Sequence, residues 1–188
     1  MKTQLVGFRS EKAAQFSALF VQREGGRIDK LKLVKLLYLA ERESTAERGR
    51  PIFYDEFYSL DHGPIGTHAL DALNKDSRDN ALWANYITVQ SRKDIAAATK
   101  TKPQEMDQIS KSDFAILENV WKKFGWMTAS QVRNWTHLNC PEYVEPPKGS
   151  NLPITYEALY KALKYDEAAQ MAYHISEYRS AEAAVAAE

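Results

Sequence analysis

Between Phe57 and Leu73 the chain reads FYSLDHGPIGTHALDAL, which places Asp61, His62, His68 and Asp71 in one short stretch. These are metal-ligand types, and His68 and Asp71, three apart, would share a face if the segment were helical. A second pair lies further on, where His137 precedes Cys140 by three residues. Those types can activate a thiol for nucleophilic attack. Neither pattern is tight. Zinc sites announce themselves as HExxH or as paired CxxC, and neither is present. Pro141 puts Cys140 at a helix end or in a loop, no orienting Asn or Asp is identifiable, and a small buried thiol is the simpler identity. Ser44, Ser59 and Ser130 sit in no G-x-S-x-G elbow, and there is no P-loop or G-x-G-x-x-G. The expectation is a chain with no catalytic residue, no metal and no cofactor.

The same stretch also has a mechanical reading. Pro64 suits the first turn of a helix, where its missing N–H had no partner anyway. Gly63 can take a backbone conformation that other residues resist. HGPIGTHALDAL then reads as a sharp entry into a helix, with Ile65, Leu70 and Leu73 buried.

Other elements must hold this corner in place. Phe8 to Arg23 has the helical period in Ala13, Phe16, Leu19 and Phe20, with Ser10 as its cap and Gly25-Gly26 as its stop. Asp29 caps a helix that ends at Gly49 before Pro51. Its apolar arc is wide, so it is expected to be central, with Lys30, Lys32 and Lys35 reaching out to water. PIFYDEFYSL and WANYITV suggest short strands. Ser91 to Ser110 is polar and reads as irregular. Ser110 or Ser112 caps a helix striped by Phe114, Leu117, Val120, Trp121 and Phe124, stopped by Gly125. TASQ at Thr128 has the spacing of a capping box. CPEYVEPPKGSNLPI reads as a loop. Thr155 caps YEALYKAL, and an Ala-rich helix runs from Asp166 with Met171, Ile175 and Tyr178 aligned. The expected fold is mainly α: a compact helical domain over residues 8–165 with one or two short β-strands or a small hairpin, followed by a helical tail over 166–188.

Composition narrows the function. The 188 residues carry 25 Lys+Arg against 25 Asp+Glu. A dedicated nucleic-acid binder shows a basic excess, so nucleic acid is not the expected partner. The lysines of 30–35 and 111–123 read more simply as solvated helix faces. The single cysteine excludes an internal disulfide and fits a reducing cytoplasm. The opening residues lack the apolar run of a signal peptide, and no stretch is apolar enough to span a membrane. Four Trp, ten Tyr and seven Phe exceed what the helical stripes consume. Aromatics favour interfaces, so Tyr54, Phe57, Tyr58, Tyr143, Tyr173 and Tyr178 are the candidate partner contacts.

The order of short motifs is more specific than any one of them. KLVKLLYLAE, GRPIFYDEF, SLDHGPIGTHALDAL, ISKSDFAILENVWKKFG and THLNCPEY followed by LPI occur in that sequence. Together, from about Phe8 to about Leu163, they resemble the Panacea domain, the SocA-like antitoxin domain. Tyr143 stands where an aromatic Trp is expected in that pattern. The resemblance implies the antitoxin half of a type II toxin–antitoxin pair, often carried on phages or mobile elements, which neutralises a cognate protein toxin by direct binding. It also allows a second arrangement, in which the chain is an adaptor handing its toxin to an ATP-dependent protease. Under the resemblance Gly63, Pro64 and His137 keep the shape of the domain.

Overall fold

The computed structural model describes residues 7–98 and 106–186. Its axle is helix α2 (Lys30–Arg48). Every residue from Lys32 to Glu41 is buried, because α2 is packed on several sides, by helices α1 (Ser10–Arg23), α5 (Lys111–Phe124) and α6 (Ala129–Asn139) and by strand β3 (Gly63–Gly66). A helical segment as apolar as Leu33–Ala40, broken only by Lys35, has to be enclosed in this way. The local signals at its ends behave as read. The Asp29 carboxylate accepts from the amides of Leu31 (2.8 Å) and Lys32 (3.2 Å). Gly49 closes the helix in the left-handed conformation. The Ser110 and Thr128 boxes cap α5 and α6. Thr155 caps α7 (Tyr156–Ala162). α1 is the exception: Arg9 at its N-cap makes no side-chain capping bond to the helix, and Ser10 Oγ instead accepts from the Trp83 indole at 3.0 Å.

The chain is less purely helical than expected. Among the described residues there are eight helices and two three-stranded antiparallel sheets, and helices take about half of the chain. One sheet has the order β1 (Arg27–Asp29), β5 (Asp94–Ala97), β4 (Ile87–Val89). The other runs β3, β2 (Phe57–Leu60), β6 (Leu152–Ile154). Two expected loops thus contribute strands: β5 lies in the polar run after Ser91, and β6 in the Pro-rich run after Cys140. Residues 99–105 of the first run lie outside the described residues. Both strands are short and exist by pairing with distant ones, Ile95 with Ile28 and Ile154 with Phe57, which local composition does not reveal. The small helices α3 (Thr67–Leu73) and α4 (Asn80–Trp83) complete the main core. The tail is helix α8 (Ala168–Ala186), whose Ile175 packs with Tyr54 and Tyr160 in a satellite cluster.

The Gly-Pro corner is a strand, not a helix entry. Gly63–Gly66 pairs antiparallel with β2 in the register Leu60↔Gly63 to Phe57↔Gly66, and helix α3 starts only at Thr67. Pro64 is tolerated because β3 is an edge strand, where a missing N–H leaves no ladder bond broken. Ile65 and Leu73 are buried as expected, and Leu70 packs against the core from a partly exposed position.

Candidate functional site

Gly63 follows the two-residue turn Asp61-His62 and has φ +90°. A Cβ built there would lie 2.7 Å from His137 Cδ2 and 2.9 Å from Lys35 Nζ. The strand backbone is therefore pressed flat against α6 and α2, an approach that only glycine permits. At the next residue Lys35 Nζ donates to the Pro64 carbonyl at 2.7 Å. Lys35 is not a solvated lysine. It is 0 % exposed, and burial pushes its ammonium down to about 7, with Cys140 opposing and Arg133 assisting. Lys32 is also buried, its ammonium bonded to Glu24 and to the Gly125 carbonyl. The Gly63-Pro64 pair and His137, far apart in sequence, thus meet around one buried amine. His137 is half-buried, its ring centroid 4.6 Å from that of Tyr143. Burial lowers its pKa, and a hydrogen bond with the His62 backbone opposes that.

Behind this corner lies a buried polar network. Tyr38 donates its hydroxyl to Glu142 Oε1, and Arg42 Nε donates to the same oxygen at 2.7 Å. Cys140 is beside them, 2 % exposed, its thiol pushed up to about 12 first by burial and then by Glu142. A thiol held there is protonated at neutral pH and is a poor nucleophile. The pairing of Cys140 with His137 in sequence does not become an activated dyad.

A second network organises the segment before the hairpin. Glu41, 1 % exposed, accepts the backbone amides of Ile52, Phe53 (2.9 Å) and Asp55 (3.0 Å), which folds residues 50–56 around its carboxylate. Asp55, 2 % exposed, accepts from the amides of His68 (2.9 Å) and Ala69 (3.1 Å). It thereby caps α3 from outside, a role Gly66 at the N-cap cannot fill for want of a side chain. A Cβ on Gly66 would lie 2.3 Å from Asp55 Oδ2, so the absent side chain is also what admits the cap. Burial pushes both carboxyls up to about 7 against these hydrogen bonds.

Residues 33–144 match the family described as antitoxin SocA-like, Panacea domain. That is more than half of the chain. The chain belongs to this family. No curated protein and no solved structure matches it. Lys35, Tyr38, Glu41, Arg42, Asp55, Gly63, His137, Cys140 and Glu142 all fall inside the matched span, so both networks are built from the Panacea domain itself. The charged members were overlooked in the sequence, although KLLYLAE carries Lys35 and Glu41 and NCPEY carries Glu142. The available signal was their place in a helix with apolar neighbours on every side, where a charge has to be internally paired.

The aromatic candidates separate by exposure. Tyr54 and Phe57 are buried and cannot be open contacts: Tyr54, at a positive φ, stacks on Tyr178 at 4.5 Å, and Phe57 packs edge-on against Tyr38 and Tyr156. Tyr58 and Tyr143 are half-buried, and the Tyr143 hydroxyl donates to the Leu60 carbonyl at 3.3 Å. Tyr178 is half-buried and bonded to Arg9. Only Tyr173 of the six is well exposed, at 60 %. The large apolar side chains left in solvent are mostly ones not expected: Trp126, Leu138 and Val144. As for metal, His68 Nε2 lies 3.9 Å from both Asp55 and Glu56, while Asp61 and His62 are exposed on the hairpin turn. Among the described residues no three metal-ligating side chains converge, and no helix is long and apolar enough to cross a membrane.

Proposed function

We propose that this chain is the antitoxin of a type II toxin–antitoxin pair and silences a cognate protein toxin in the cytoplasm by stoichiometric contact, with no catalytic step of its own. The match of residues 33–144 to the SocA-like antitoxin domain carries this reading. The disposition of side chains supports it. Lys35, Glu41, Asp55 and Glu142 of the matched span are bonded inward, and Trp126, Leu138 and Val144 are left outside as anchors for another polypeptide. A reliable inhibitor complex would bury roughly 1,600 Å² in total.

The test is co-expression with the product of a small adjacent reading frame. The expected result is that the neighbour arrests growth alone, that this chain restores it, and that the two co-elute as a complex of fixed ratio. Restored growth without any complex would overturn the reading. Repeating the rescue in cells lacking ATP-dependent proteases separates plain contact, which persists, from delivery for degradation, which fails. Removing residues from Asp166 onward decides whether α8 contributes: unchanged rescue by a folded truncate would exclude it.

A further inference from the structure

The turn between β4 and β5 overhangs a cleft of about 630 Å³ bounded by the start of α2, the β2–β3 hairpin and the start of α6. Its floor is apolar, formed by Leu31, Val34, Leu60, Ile65 and Leu70. Its rim carries three cations, Lys30, Arg92 and Lys93. The two carboxylates that line it are already committed to backbone amides, Asp29 to those of Leu31 and Lys32 and Asp61 to that of Gly149. Asp94, next to the turn, is bonded to Ser91 and faces Arg27 at 3.4 Å. Arg92 and Lys93 form no ion pair among the described residues, and Lys30 bonds only the neutral Asn74 amide, at 2.8 Å. Burial, and after it the neighbouring cation Arg92, holds the Lys30 ammonium below its ordinary range, with Asp76 opposing.

The cations are also held in place. Ser91 Oγ accepts the amides of Lys93 and Asp94, both at 3.1 Å, and the Lys93 carbonyl accepts the Lys30 amide at 2.6 Å. The turn is fastened to the first residue of α2, so little ordering remains for binding.

We infer that this cleft is a docking site for an acidic segment of the protein partner, a bulky apolar side chain of that segment seated on the Leu31–Ile65 floor and its Asp or Glu neighbours paired with Arg92 and Lys93. This rests on the antitoxin reading and names where and by what chemistry the toxin is gripped. A peptide fits better than a nucleic acid, because the floor is apolar and the chain as a whole carries no basic excess.

The probe is a displayed library of random peptides panned against the full-length protein, with selected peptides remeasured by fluorescence anisotropy. The expected outcome is enrichment of sequences that combine Asp or Glu with Leu, Phe or Trp. Arg92→Glu with Lys93→Glu, both exposed side chains outside the core, should weaken them by roughly tenfold or more. No enrichment, enrichment of basic peptides, or equal binding by the double variant would each overturn the inference. So would a labelled single-stranded oligonucleotide that binds more tightly than the peptides and is lost in the same variant. Growth rescue keeps the two readings apart. A double variant that still neutralises the toxin at wild-type strength sinks the cleft and spares the antitoxin. A wild-type chain that binds acidic peptides and rescues from no neighbour does the reverse.

Discussion

The Gly-Pro corner and the tail helix are both packed against the body of the molecule, but by different means. At the corner single atoms decide the fit: the Cα of Gly63 against His137 and Lys35, one lysine nitrogen on one carbonyl, the two oxygens of one carboxylate each under a helix amide. At the tail flat faces decide it: Tyr54 on Tyr178, with the Arg9 guanidinium 5.1 Å from the Tyr54 ring centre. Point contacts around buried charge tolerate no change of shape. Stacked faces at the edge of the core give way gradually. Within one small domain, then, the matched span is a rigid frame and the tail an adjustable attachment.

Substitutions should sharpen that contrast. Gly63→Ala combines a positive φ with a clash on two sides and should destabilise by about 3 kcal/mol or more, seen as a large fall in the urea midpoint. A loss below about 1 kcal/mol would mean the corner can relax. Asp55→Ala uncaps α3 and strands buried amides, for about 2–3 kcal/mol, with hydrogen exchange at His68 and Ala69 speeding up first. A smaller and reversible effect comes from pH. Lys35 is held at about 7 against an ordinary 10.5, so its contribution is complete above that ordinary value and is lost as pH falls to 7. Glu41 and Asp55 are raised to about 7, so theirs is complete below the ordinary carboxylate range and is lost as pH rises through 7. Urea resistance should therefore be lowest near neutrality and higher at about pH 5 and about pH 9, and Lys35→Met should flatten the alkaline side alone. Tyr178→Ala should cost least, about 1 kcal/mol, with faster exchange confined to α8. An equal loss across the whole domain would erase the distinction between frame and attachment.

What could be read from the sequence follows the range of the forces involved. Asp29, Ser110, Thr128 and Thr155 act on backbone groups two or three residues away, so they identified their helices directly. β3 was misread because Gly-Pro looks locally like a helix entry, whereas its pairing with β2 is settled by the packing on α2 and α6. β6 was missed because its partner lies in a distant part of the chain. Lys32 and Lys35 of α2 look solvated because charge usually is, and only the enclosure of the helix says otherwise. Of the partner contacts, aromatic count pointed to Tyr54 and Phe57, which the core consumes. The cations of the β4–β5 turn left no trace in a balanced net charge.

The sealed position of Cys140 has a practical use. The chain holds one native sulfhydryl, and it is both shielded and protonated. A second one placed by Ser130→Cys at the mouth of the cleft, or by Tyr173→Cys on the tail, would react alone with a maleimide fluorophore. Distances between the labelled chain and a labelled binding partner could then be followed by energy transfer without stripping the wild-type residue from the frame.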